Sequence, residues 1–271
     1  MRPLRTFAAA AAVLLLSASL LSAHDMFFRL RAYFVPPATA MKIPLLNGTF
    51  SKSENAIAWA RVRDLSVTGP AGRAKMDSAT WDTHGDTSFL SYTPAAAGTY
   101  VVGLSTAPNE LDMTAEQFNA YLADDGIPDI LALRKANGSL GQKARERYHK
   151  HVKAIFQVGE TRTDSWQKAL GYPAELVPTT NPYDAKRGGA LTFRCLVDGK
   201  PAANQLVMIG GRHPDDSRLP MLSTRCDAQG MVRVALGAAG IWYVKFVHME
   251  PVTDGKVNYE SKWASVTFAV K

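Results

Sequence analysis

LTFRCLVDGKP, residues 191–201, decides the fold class. Leu191, Phe193, Cys195 and Val197 alternate with Thr192, Arg194 and Leu196, so the apolar set takes one face of an extended chain. Asp198-Gly199 then supplies a two-residue hairpin turn. The same signature recurs at Gln205 to Ile209, Pro220 to Cys226, Val232 to Leu236, Ile241 to His248 and Lys262 to Val270, with a second turn at Gln229-Gly230. Six or seven short strands in about 95 residues predict an immunoglobulin-like or prealbumin-like β-sandwich. Upstream, Trp166 to Val177 reads as a connector broken by Gly171 and Pro173, so this domain is expected to span residues 166–271.

Residues 24–165 read as a second β-sandwich domain. Strand patterns at Asp25 to Ala32, Met41 to Leu46, Ala58 to Val67, Thr87 to Tyr92 and Thr99 to Ser105 are separated by Pro36-Pro37, Asn47-Gly48, Gly69-Pro70 and Ala97-Gly98. A helical insertion is expected at about residues 114–153. Thr114 with Gln117 forms a capping box before Phe118, Tyr121 and Leu122 at helical spacing. Pro128 to Arg134 follows as a second helix and Gln142 to about Ile155 as a third, whose end could already be extended. The fold class is therefore all-β with a helical insertion.

Residues 1–23 read as a secretory signal peptide. Arg2 and Arg5 precede an apolar run from Phe7 to Leu16 and a small-residue exit from Ser17 to Ala23. Cleavage after Ala23 would place a soluble chain in the periplasm, since no later stretch is long and apolar enough to span a bilayer. The net charge is +7, and Arg2 and Arg5 leave with the leader, which makes it +5. That mild excess, without aromatic–basic interleaving, argues against nucleic acid as a partner. Cys195 and Cys226 are the only cysteines. In an oxidising compartment they are expected to form a disulfide between neighbouring strands, which would contribute about 3–4 kcal/mol on the loop-closure view.

Processing creates the sharpest chemical feature. A cut after Ala23 makes His24 the first residue, and its free α-amine and ring Nδ1 form a compact two-nitrogen chelate. Copper and nickel favour such nitrogen ligands. Asp25 could add an oxygen or orient the ring. His248, at the end of the face Trp242-Val244-Phe246-His248, is the expected distant partner, and His84 in the turn DTHGD is a further candidate. His149 and His151 are two apart, which separates them on a helix but unites them on a strand. They read as structural or surface residues, as does His213 in a hairpin loop. There is no G-x-S-x-G elbow, no H-E-x-x-H, no P-loop and no G-x-G-x-x-G. The residues argue against an enzyme, and no catalytic group is assigned.

Several blocks resemble a known family. FNAYLADDGIPDILALR (118–134), RERYHKHVKAIFQVG (145–159), NPYDAKRGGALTFRCLVDGKP (181–201), GIWYVKFVHME (240–250) and YESKWASVTFAV (259–270), with the opening His24-Asp25, are similar nearly end to end to an exported domain-of-unknown-function family. That family is described as the periplasmic component of cobalt- or nickel-type ABC uptake systems. Members often carry Trp two or three residues after the first histidine, where this chain has Met26 and Phe27. The resemblance implies a periplasmic accessory for uptake of cobalt or nickel, to which the chelate chemistry adds copper, with His24 and the histidine of the Val247-His248-Met249 segment as metal ligands. Its implied partner is an inner-membrane ABC-type transporter, and an outer-membrane receptor stays open as an alternative. A copper mono-oxygenase built on an N-terminal histidine brace, and a carbohydrate- or protein-binding module without metal, are the competing readings.

Overall fold

Strand alternation sets the architecture, and the computed structural model describes it for residues 24–271. The expected signal peptide, residues 1–23, lies outside the described residues. In chain order the strands are β1 (Asp25–Phe28), β2 (Phe34–Val35), β3 (Met41–Gly48), β4 (Val62–Gly69), β5 (Gly72–Lys75), β6 (Trp81–His84), β7 (Thr87–Tyr92), β8 (Gly98–Thr106) and β9 (Asn109–Met113). Helices α1 (Ala115–Asp124) and α2 (Pro128–Ala136) follow. The chain then continues through β10 (Ala144–Val158), β11 (Ala174–Pro178), β12 (Ala190–Val197), β13 (Lys200–Pro201), β14 (Leu206–Arg212), β15 (Leu222–Arg225), β16 (Met231–Ala235), β17 (Gly240–Pro251) and β18 (Tyr259–Val270). The protein is all-β with a helical insertion. No described helix is long and apolar enough to cross a membrane.

The largest sheet runs β15-β14-β17-β18-β10-β8-β4-β5, with β2 and β9 also paired to β10. It draws strands from both sides of residue 165. At its centre β10 and β18 lie parallel, from Glu146 opposite Tyr259 to Ala154 opposite Thr267. A sheet ordered β1-β3-β7-β6 and another ordered β11-β12-β13, with β16 on β12, complete the fold.

Alternation along β10 and β18 sends successive side chains to opposite faces. Ile155, Ala264, Val266 and Phe268 enter one core with Leu191 and Phe193 of β12. Ala154 and Phe156 enter another with Phe28 of β1 and Ile43 of β3. The large sheet is thus the middle layer. Below the second core, Phe118, Tyr121 and Leu122 of α1 pack on Val247, Met249 and Trp263 of the same face.

The Thr114–Gln117 capping box forms as expected, with Gln117 N donating to Thr114 Oγ1 at 3.2 Å and Thr114 N to Gln117 Oε1 at 3.0 Å. The third helix does not form: Ala144–Val158 is the strand β10. The reason is tertiary. This segment is the middle of a sheet, paired on one edge by β18 and on the other by β9 and β8, and Tyr148, Val152, Ile155, Phe156 and Val158 suit a pleated surface. Its charges do not form a solvated helical face. Lys153 pairs with buried Glu175 at 2.8 Å, and Arg147 with Asp254 at 2.7 Å.

Candidate functional site

Asp25 opens β1, directly after His24, and β1 lies across one face of β18. Ser265 and Thr267, alternate residues on that face, donate to the backbone carbonyls of Met26 at 2.8 Å and Phe28 at 2.6 Å. Lys245 stands opposite Ser265 on β17, and Lys150 opposite Trp263 on β10, so both lysines project from the face that β1 covers. Each is almost fully buried, and each finds a specific partner at the start of β1. Lys245 Nζ donates to both carboxylate oxygens of Asp25, at 2.7 and 2.6 Å. Lys150 Nζ donates to the backbone carbonyl of His24 and sits 5.0 Å from the centre of the Trp263 ring.

The helical insertion completes this cluster. Asp125, the C-cap of α1, lies 3.3 Å from Lys245 Nζ. Tyr121, one turn earlier, stacks on Trp263 and donates to Glu146 of β10 at 2.9 Å. Three carboxylates therefore surround two buried ammonium groups. Burial pushes the Asp125 carboxyl up to about 6, and Asp25 adds to the rise against the pull of Lys245. Burial likewise pushes Lys150 down to about 8, against the attraction of Asp25 and Asp125. For Lys245 burial acts downward too, but Asp25 and Asp125 outweigh it and hold the ammonium above its ordinary value.

His24 itself is part-exposed at the rim. Its Nδ1 lies 3.3 Å from Oε2 of Glu54, a residue that the bridge between Gly48 and Ser53 brings alongside β1. The exposures of the two side chains, 27% and 38%, leave the pair within reach of a dissolved ion. Next to it opens a cleft of about 230 Å³ with Asp25, Asp125, Phe27, Phe50, Arg212 and Tyr243 among its lining residues. Phe27, Phe50 and Tyr243 pack on one another with ring centres 4.8 to 5.0 Å apart.

The expected distant ligands are placed elsewhere. His248 shares the β17 face of Trp242, Val244 and Phe246, which enter the core on the opposite side of the sheet from Lys245 and Asp25. Its Nδ1 meets Gln205 Oε1 at 3.1 Å, and burial lowers its affinity for a proton. His84 lies exposed at the end of β6, the strand farthest from β1 in its sheet. Asp25 is committed to Lys245. Among the described residues, no three His, Cys, Asp or Glu already stand in a metal-ligating group.

Cys195 and Cys226 are both buried and free, so the expected disulfide is not formed. The two nevertheless share one core, and the influence of Cys226 together with burial pushes the Cys195 thiol up. They meet across a core between two sheets and not from adjacent strands, because Cys226 follows β15 while Cys195 belongs to β12. Glu54, Asp125, Lys150 and Lys245 were not legible as site residues. Only Lys245 carried a signal, as a charge between apolar neighbours in Trp242-Tyr243-Val244-Lys245-Phe246-Val247.

A family described as "Domain of unknown function (DUF4198)" matches residues 21–250. No curated protein matches the chain. Among solved structures, a tetra-tandem repeat in the extending region of a large adhesion protein is 12% identical, with a TM-score of 0.24, over 92% of this chain and 50% of that one. The BSP domain of a biofilm associated protein is 9% identical, with a TM-score of 0.21, over 89% of this chain and 29% of that one. Native alpha-2-macroglobulin of E. coli is 10% identical, with a TM-score of 0.23, over 90% of this chain and 14% of that one. This chain thus spans half the length of the first and less of the other two, and likeness at such scores says nothing of what it binds.

Proposed function

The chain belongs to the DUF4198 family of unknown function, and from that premise we propose that it is an exported, non-enzymatic protein that binds a transition-metal cargo at His24. The cargo is nickel, cobalt or copper, handed on in the periplasm to an ABC-type uptake system. The observation that carries this reading is the approach of Glu54 Oε2 to Nδ1 of His24, at 3.3 Å. Nδ1 is the ring nitrogen that can close a chelate with the α-amine once cleavage frees it. Amine, imidazole and carboxylate together make a nitrogen-rich donor set with open positions, as nickel and copper favour and as hand-over requires.

The surroundings support the same reading. Lys150 holds the His24 carbonyl and Lys245 holds Asp25, so the backbone at the chelate is fixed before any ion arrives. Glu54 takes the part that His248 and His84 are placed too far away to play.

The test is calorimetric titration with Ni²⁺ and Cu²⁺ of protein whose start at His24 has been verified by intact mass, beside protein with one extra residue before His24. The expected result is one tight equivalent in the first and an affinity weakened by roughly tenfold or more in the second. Equal affinities would remove the amine from the ligand set, and with it this reading.

A further inference from the structure

His149 and His151 stand on the face of β10 that looks away from His24. Because Ala144–Val158 is a strand, the two-residue spacing puts both imidazoles on one side of it. Their ring centres are 5.0 Å apart at an interplanar angle of 81°. Both residues are more than nine-tenths buried, at 8% and 2% exposure. Among the described residues only four buried side-chain nitrogen or oxygen atoms lack a hydrogen-bond partner, and two of these are the Nε2 atoms of His149 and His151. Buried polar atoms are otherwise satisfied almost without exception, so two imidazole nitrogens side by side, His151 Nε2 without a partner and His149 Nε2 with only a 3.4 Å contact to Glu260, call for an occupant.

We infer that His149 and His151, with Glu260, form a second metal site, for a divalent transition cation that accepts imidazole nitrogen. Three features fit that chemistry. First, His151 Nδ1 is 2.9 Å from Ser105 Oγ. With the proton on Nδ1 donated to that hydroxyl, Nε2 presents its lone pair, in the way a ligating histidine is oriented through its other nitrogen. Second, the surroundings lower the proton affinity of both imidazoles, toward the neutral form that binds metal. Burial first, then the His149 ring and Lys262, push His151 down to about 3, and burial lowers His149 as well. Third, an oxygen donor is at hand. Glu260 Oε1 lies 3.4 Å from His149 Nε2, and its carboxylate is shared with Arg147 at 3.5 Å.

The neighbouring cation Lys262, whose charge bears on both imidazoles, is paired with Asp198 at 2.5 Å. Glu260, 24% exposed, lines the approach from solvent. Glu260 is not yet at bonding distance from both rings, so binding requires its side chain to turn inward. Two imidazoles and one carboxylate with a position left for water is a zinc-type set, which nickel and cobalt also accept.

This site stands on the other side of the sheet and does not rest on the reading of His24. The test therefore uses protein carrying His24→Ala, titrated with Co²⁺ followed optically and with Zn²⁺ in competition. One equivalent of ligand-field absorbance is expected, displaced by Zn²⁺ and weakened by roughly tenfold or more in a further His149→Gln, His151→Gln variant. Identical binding in both proteins would overturn the site. Should the double variant not fold, imidazole ¹⁵N shifts of the His24→Ala protein decide. One equivalent of Zn²⁺ should move Nε2 of both His149 and His151. Unmoved resonances would mean that the two nitrogens are answered by a trapped water only, and the site would be withdrawn.

Discussion

Lys245 Nζ bridges Asp25 and Asp125, 2.6 Å from the first carboxylate and 3.3 Å from the second, and so ties the start of β1 and the end of α1 to the middle sheet. Removing the ammonium leaves two carboxylates facing each other with little water. Lys245→Ala is expected to cost about 3–5 kcal/mol, the usual penalty for breaking a buried ion pair on one side. Urea unfolding of the variant against the parent checks this, and a loss within the range of an ordinary surface substitution would refute it.

Glu54 and His248 separate two accounts of the proposed metal site. Glu54→Ala should weaken Ni²⁺ or Cu²⁺ binding by roughly tenfold or more, while His248→Ala should leave it within about twofold. The reason is placement: Glu54 meets His24, and His248 faces the other core. Titration calorimetry on the two variants reads the difference, and the reverse pattern would restore His248 as the ligand.

Lys150 gives the protein a stability that rises with pH on the alkaline side. Its folded-state proton is lost near pH 8, whereas an unfolded lysine keeps its proton to about 10.4. Between those values the unfolded state binds more protons, so deprotonation removes a penalty that is present in full below pH 8. The gain is at most about 3 kcal/mol. Denaturant midpoints at pH 7.5 and 10 should show this rise in the parent, and a Lys150→Met variant should lack that share of it.

Cys195 and Cys226 lie free in one core, so closure of a bond between them can be tested. Mild oxidation is expected to lower the mass by two hydrogens, abolish reaction with a thiol reagent in denaturant, and stabilise the fold by about 3–4 kcal/mol. Two reactive thiols remaining after oxidation would show that the core between the sheets cannot accommodate the link.

Most of the scaffold was legible because period-two alternation is a local signal. LTFRCLV and IWYVKFVH read as strands, and they are strands. The Thr114 capping box fixed the start of α1 for the same reason. RERYHKHVKAIFQV was misread because charges recur along it with a spacing that also suits a helix. What decides its state is pairing with β8, β9 and β18, all distant in sequence or separated by the helices. The candidate site shows the same divide. His24 and Asp25 were visible as chemistry at one place in the chain. Glu54, Lys150, Lys245 and Asp125 join them only through sheet register, which no short window contains. His149 and His151 changed meaning altogether once their segment became a strand.

The parallel pairing of β10 with β18 also dictates an order of assembly. The slot between β10 and β17 is filled by residues made long after β10 has been synthesised. Until they arrive, two hydrogen-bonding edges stay open, each able to recruit a foreign strand. Such long-range closure is slow. A nascent chain of this protein therefore has to be kept from its neighbours until Tyr259–Val270 has emerged, and a version lacking that strand should accumulate as aggregate.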